Sequence, residues 1–159
     1  MTYPWSPGDV LTASDLNSEF ASKGDISTNG TWTSYTPSVS NITVGNGTLT
    51  ARYVTIGKLV MGRIEFTLGS TSAIGSSPQI GLPTTAVDNN AVSVTGKLTD
   101  AGSLIYGQAS DGGGGGTTVR LRYLEDSADG VTSRPVDATS PFTWTDGDFF
   151  QIQFSYEEA

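Results

Sequence analysis

Gly45–Ser70, GNGTLTARYVTIGKLVMGRIEFTLGS, is the stretch on which the fold turns. It holds two β-rich runs, Thr48–Ile56 and Lys58–Leu68, that meet at Ile56-Gly57-Lys58. β-Branched and aromatic side chains favour extended chain, and Gly57 suits a tight turn or bend between antiparallel strands. In the second run Val60, Gly62, Ile64, Phe66 and Leu68 share one face, the expected core face. Leu59, Met61, Arg63, Glu65 and Thr67 share the other, which begins apolar and ends charged. In the first run Val54 and Ile56 oppose Leu49, Ala51 and Tyr53 in parity. Two readings account for apolar residues on both faces. Either a β-bulge reverses the faces or a loop covers one of them, or the second face packs on another subunit, because an open apolar surface is an association patch.

Working outward, short strand patterns recur with turn signals between them. Toward the N-terminus, TWTSYTP alternates aromatic with Thr or Ser as a half-buried strand does, and NITVGNG reads as a strand end and a turn. Toward the C-terminus, strands are expected at Val92–Thr99, Ser103–Ala109, Thr117–Leu124 and Asp148–Tyr156, with IGLP as a short strand stopped by Pro83. STSAIGSSPQ and EDSADGVTSRP read as loops, DAGS as a hairpin turn and SDGGGGGTT as a flexible hairpin loop. Turns every eight to twelve residues predict an all-β fold, an antiparallel β-sandwich or jelly-roll-like domain over residues 31–159. Residues 1–30 are a separate segment with a short helix. Thr12 or Ser14 can cap it, Thr12 with Asp15 fits a capping box, Leu16 and Phe20 stand one turn apart on one side, and the helix ends before Gly24. About two turns cannot stand alone in water, so this helix is expected to dock on something.

Composition narrows the chemistry. A chain of 159 residues is the size of one domain and can bury roughly 70% of its unfolded surface without disulfides or metal. Cysteine and histidine are both absent. That removes redox chemistry, His-based triads and ordinary transition-metal sites. The net charge is −8, and Gly81–Ala159 carries eleven acidic residues against four basic ones, which opposes nucleic acid and anionic lipid. No apolar run approaches membrane-spanning length. The opening MTYPWSPGDV lacks a secretory pattern, so synthesis and folding in a cytoplasm are expected.

Candidate sites are few. Glycoside hydrolysis needs two facing carboxylates; Glu65, with Arg63 beside it, and Asp148 are available, but solvated surface carboxylates are the plainer reading. EDSADG and TDGD resemble fragments of calcium loops without the full pattern. DGGGGG lacks the Lys-Ser/Thr of a phosphate cradle. Asn29, Asn41 and Asn46 head glycosylation triplets that mean little without a secretory signal. Among the aromatics, Trp32 and Tyr35 face opposite ways and are the candidates for stacking on sugar; Trp144, Phe149, Phe150, Phe154 and Tyr156 suit a core.

PGDVLTASDLNSEF resembles the opening segment of many small tail-fibre and minor structural proteins of tailed bacteriophages, through Gly8, Val10, Leu11, Thr12, Ala13, Leu16 and Asn17. Trp32, Tyr35, Pro37, Gly45, Asn46, Gly47, Tyr53, Gly57, Lys58, Leu82 and Pro83 resemble a β module common in phages of actinobacteria. The likeness spans Gly8 to about Pro83, half the chain. It implies a non-enzymatic virion component, made in the bacterial cytoplasm and placed on the tail or head surface, that forms a homotrimer without a cofactor. The implied partners are itself, other virion proteins and host-surface glycan, with no nucleic acid and no membrane. Val10, Leu11, Leu16, Phe20, Leu59 and Met61 are the expected oligomer or attachment residues. A glycan-cleaving enzyme and a free carbohydrate-binding module are the readings from other classes.

Overall fold

The computed structural model describes residues 10, 12–23, 30–101, 103–105, 110–113, 116–128 and 130–159. Among the described residues it is an all-β fold with one α-helix, α1 (Ala13–Lys23). In chain order the strands are β1 (Thr33–Ser34), β2 (Val39–Thr43), β3 (Thr48–Ile56), β4 (Leu59–Thr67), β5 (Ala73–Gly81), β6 (Ser93–Asp100), β7 (Ser103–Ile105), β8 (Ser110–Gly113), β9 (Thr118–Arg120), β10 (Arg122–Ser127), β11 (Gly130–Pro135) and β12 (Phe149–Glu157). They form a six-stranded sheet in the order β1-β3-β4-β12-β6-β7, a four-stranded sheet β2-β5-β9-β8 and a two-stranded ribbon β10-β11. Every strand pair is antiparallel.

The β3–β4 hairpin organises the larger sheet. Gly57 takes φ +60° in its two-residue turn, a conformation glycine adopts without steric cost. Ile56 then pairs with Leu59, and the register runs unbroken to Thr48 opposite Thr67. The reading of a bulge that reverses the faces is therefore corrected: both strands keep one inner and one outer face throughout. Inward, Val60, Ile64 and Phe66 meet Phe150, Ile152, Phe154 and Tyr156 of β12, all buried. Phe66 and Phe150 pack edge to face at 5.5 Å, the geometry the ring quadrupoles favour. Val94 and Leu98 of β6, Ile74 and Ile80 of β5, Val119 of β9, and Leu121 and Val136 join the same apolar cluster, so the two larger sheets share one core.

Several segments expected to be loops are strands. STSAIGSSPQ holds most of β5, which runs on into Ile80 and Gly81 of the expected strand IGLP and is paired on both sides. Its Gly and Ser residues disguise an inward row of Ile74, Pro78 and Ile80. The β2–β5 register shifts between Ser40 and Ile42; there Asn41 adopts φ +57° and its Nδ2 donates to the Ser76 carbonyl at 2.8 Å. Asparagine tolerates that backbone region better than most residues. EDSADGVTSRP lies in the β10–β11 ribbon, where Arg134 Nε donates to Glu125 Oε2 at 3.0 Å. β8 contains the first half of SDGGGGGTT; Gly114 and Gly115 lie outside the described residues. The expected strand Thr117–Leu124 breaks at Leu121 into β9 and β10. TWTSYTP supplies only the two-residue β1.

Two polar clamps tie the loops down. Asn46 bridges to the Gly69–Ser72 turn: its Oδ1 accepts from Thr71 N at 2.9 Å and its Nδ2 donates to Ser70 Oγ at 3.1 Å. A Cβ on Gly45 would fall 2.4 Å from the Thr71 carbonyl oxygen, so the approach requires glycine. The second clamp is Asp148, wholly buried. Its Oδ1 accepts from Ala101 N at 2.8 Å, and its Oδ2 accepts from Thr145 N and Thr145 Oγ1. The β6–β7 turn and the approach to β12 are thereby locked together.

Candidate functional site: the outer face of the six-stranded sheet

The pairing that builds the inner core dictates the outer face. Directly opposite residues of antiparallel strands lie on one side of the sheet. Ser34, Arg52, Arg63, Gln153 and Thr95 consequently form one transverse row across β1, β3, β4, β12 and β6. The next row is Val54, Met61, Ser155 and Ser93, and beyond it Ile56 pairs with Leu59 and Leu59 with Glu157. On the other side lie Thr50, Glu65, Gln151 and Lys97.

The apolar half of this face is open except at Val54, which is buried. Ile56 is 52% exposed, Leu59 45% and Met61 44%. Val87 is exposed too, and its N–H donates to the carbonyl of Glu157, the residue opposite Leu59. The sequence places Leu59 and Met61 in the expected interface, and the structure joins them to Ile56 in one strip.

The polar half forms a groove of about 460 Å³ lined chiefly by Trp32, Arg52, Met61, Arg63, Thr95 and Gln153. A smaller hollow of about 170 Å³ adjoins it between Ser34, Thr50 and Glu65 and shares Arg52 and Arg63. Trp32 is 51% exposed, and the Arg52 guanidinium carbon stands 5.0 Å from its ring centroid, within cation–π range. Arg63 pairs with Glu65 at 3.3 Å. Glu65 Oε1 also accepts from Gln151 Nε2 at 2.8 Å. No carboxylate among the described residues pairs with Arg52.

Tyr35 turns the other way. It packs edge to face on Tyr53 at 5.6 Å, and its hydroxyl donates to the Gly81 carbonyl at 3.2 Å. Burial pushes its phenol above the ordinary range, and neighbouring Tyr156 and Tyr53 add to the shift.

The structure separates the remaining candidates. Asp148 is enclosed with both oxygens accepting from neighbours, whereas Glu65 serves Arg63 and Gln151 on the outer face, so the two do not confront each other across a cleft. Glu125 is engaged with Arg134. Among the described residues no group of three His, Cys, Asp or Glu side chains converges, and no helix is long and apolar enough to cross a membrane. Val10 and Leu16 are exposed; Leu11 and the Phe20 side chain lie outside the described residues. The expected capping box on α1 is present: Thr12 N donates to Asp15 Oδ2 at 3.1 Å and Asp15 N to Thr12 Oγ1 at 3.2 Å. The helix runs 11 residues rather than two turns.

Sequence reasoning missed Arg52, Thr95 and Gln153 as members of one row. Arg52 opposite Arg63 was within reach by counting outward from the Gly57–Lys58 turn. The rows through β12 and β6 depend on long-range pairing, which no local signal encodes. Comparison with known proteins returned no matching family model, no curated relative and no similar solved structure.

Proposed function

We propose that this chain is a non-enzymatic structural protein of a bacteriophage virion, a β-sandwich that assembles as a homotrimer and serves as a small tail-fibre or receptor-binding component. The observation that carries the reading is the apolar strip Ile56, Leu59 and Met61, about half exposed on an outer sheet face that has a regular register and needs no second core. Side chains of this kind lose free energy when left in water, roughly 25 cal/mol per Å² of apolar surface, so neighbouring copies are the natural cover. Residues 1–30 would attach each copy to the particle, with Val10, Leu11, Leu16 and Phe20 as apolar contacts. Three copies of one weak outward site would gain avidity from their high effective concentration. The motif likeness of Gly8–Pro83 supports the phage setting.

A head-decoration role is the second reading, and the size of α1 favours it. Eleven helical residues reach about 16 Å at 1.5 Å per residue, too short for a shaft toward a distant host. A free carbohydrate-binding module is a further alternative and predicts a monomer.

Light scattering on the purified chain tests assembly: a trimer is expected, lost in Leu59→Asp/Met61→Asp. Labelled protein offered intact host cells and undecorated capsids together then separates the roles. Saturable cell binding competed by whole phage supports the tail role; capsid binding at fixed copy number without cell binding supports the head role. A monomer that binds neither overturns the proposal.

A further inference from the structure

We infer that the groove over the row Arg52–Arg63–Gln153–Thr95, beside Trp32, is a binding site for a carboxylate-bearing saccharide, a uronic-acid unit of an acidic polysaccharide.

The charge arrangement points there first. Arg52 and Arg63 are directly opposite on adjacent strands, an arrangement that destabilises a sheet when the charges are alike. They occur in a chain of net charge −8 with only eight basic residues. Glu65 is engaged with Arg63, and among the described residues no carboxylate pairs with Arg52, whose guanidinium stands over Trp32 instead. The planar guanidinium fork fits a carboxylate by two parallel hydrogen bonds.

The rest of the lining selects a sugar. Arg52 occupies one side of the Trp32 ring, and Trp32, 51% exposed, offers its indole as a stacking surface for the C–H face of a pyranose. Gln153, Thr95 and Ser155 offer an amide and hydroxyls along the floor, groups that both donate and accept as sugar hydroxyls do. The groove crosses the four strands β3, β4, β12 and β6, roughly 14 Å at about 4.8 Å per gap, enough for a short oligosaccharide lying across the sheet. The net charge of −8 repels any polyanion, acidic polysaccharide as well as nucleic acid, so the guanidinium must act locally on a single uronate carboxylate.

This inference deepens the receptor-binding reading and rests on it for its biological setting, but it is testable on the purified chain. Isothermal titration with trigalacturonate, with maltotriose as a neutral match and with a glycerol phosphate oligomer, measures the selectivity. Trigalacturonate is expected to bind at least tenfold more tightly than maltotriose and to weaken as salt rises. Arg52→Gln and Trp32→Ala should each weaken it about tenfold or more, whereas Arg134→Gln in the ribbon should leave it unchanged. Both site variants remove largely exposed side chains, and an unchanged melting temperature would show that they fold. Equal affinity for the neutral sugar, an unaffected Arg52→Gln variant, or preference for the glycerol phosphate oligomer would overturn the assignment. Uronate binding without host-cell binding would keep this site and reject the receptor role; cell binding indifferent to Arg52→Gln would do the reverse.

Discussion

Replacing Asp148 by alanine should cost about 3–5 kcal/mol of folding stability. The carboxylate is wholly buried. It accepts hydrogen bonds from two backbone N–H groups, Ala101 at 2.8 Å and Thr145, and a third from the Thr145 hydroxyl. Hydrogen bonds to a charged group contribute about 1.5–3 kcal/mol each, and truncation leaves both N–H groups desolvated without an acceptor. The hydroxyl can rotate to another acceptor, so two bonds set the scale. Asp148→Asn keeps the shape and one acceptor oxygen but turns a donor toward the other N–H, and should lose about 2–3 kcal/mol. At about 2–4 °C per kcal/mol for a chain of this size, the alanine variant should melt on the order of 10 °C lower. Urea titration is the assay of choice, because an unchanged slope distinguishes lost stability from altered unfolded-state exposure. A loss under about 1 kcal/mol for Asp148→Ala, the range of an exposed ion pair, would refute the account of Asp148 as a buried brace between the β6–β7 turn and β12.

Gly62→Ala places a Cβ 2.1 Å from Phe154 Cζ in the core and should cost about 1–3 kcal/mol by overpacking; adding Phe154→Leu should recover part of it in a double-mutant cycle. Gly45→Ala should destabilise more than Asn46→Ala, because the former meets the Thr71 carbonyl at φ +55° whereas the latter gives up partly solvated hydrogen bonds; about 1 kcal/mol is expected for Asn46→Ala, read by thermal melts. Burial raises the Tyr35 phenol from its ordinary value of 10. The unfolded state therefore loses that proton first, and stability present below pH ~10 should fall as pH climbs above it. Tyr35→Phe should flatten that alkaline decline in melts taken across the range, and an unchanged slope would reject the assignment.

The hairpin was legible because its local signals agree. Gly57 marks the turn, and period-two alternation in Val60, Ile64 and Phe66 fixes the inner face. β12 was legible for the same reason, with Phe150, Ile152, Phe154 and Tyr156 on one parity. β5 was not. Its only inward side chains of any size are Ile74, Pro78 and Ile80, and the intervening Gly75, Ser76 and Ser77 match a turn composition; the strand exists because β2 and β9 pair with it from both sides. The expected strand Thr117–Leu124 reached the first half of β10, but the rest of ribbon β10–β11 was hidden, since Glu125, Asp126 and Ser127 are exposed and carry no alternation for a core to impose. Asp148 was visible as the acid opening the last strand, but its role depends on Ala101 and Thr145, one of them 47 positions away. The outer-face groove needed the order β3-β4-β12-β6, a product of tertiary pairing.

The inner and outer faces of the six-stranded sheet differ in how well they obey the rules that specify a fold. Inside, every large position of β4 and β12 is apolar, buried and paired with another buried position. Outside, two departures sit side by side. An apolar strip at Ile56, Leu59 and Met61 faces water, and next to it Arg52 and Arg63 stand opposite each other. A Thr–Thr pair at 52 and 63 with polar residues along the strip would satisfy the sheet at least as well, since threonine favours strands and brings no repulsion. Folding alone does not ask for either departure. Local choices that conflict with the fold are where function is to be sought, and here both fall on one continuous face. Met61 belongs to each: it follows Leu59 on the same side of β4 and also lines the groove beside Trp32. Another copy seated on the strip would reach the rim of the groove, so the proposed assembly and the proposed ligand binding would be physically adjacent, and a ligand that prefers the assembled form would stabilise it by linkage.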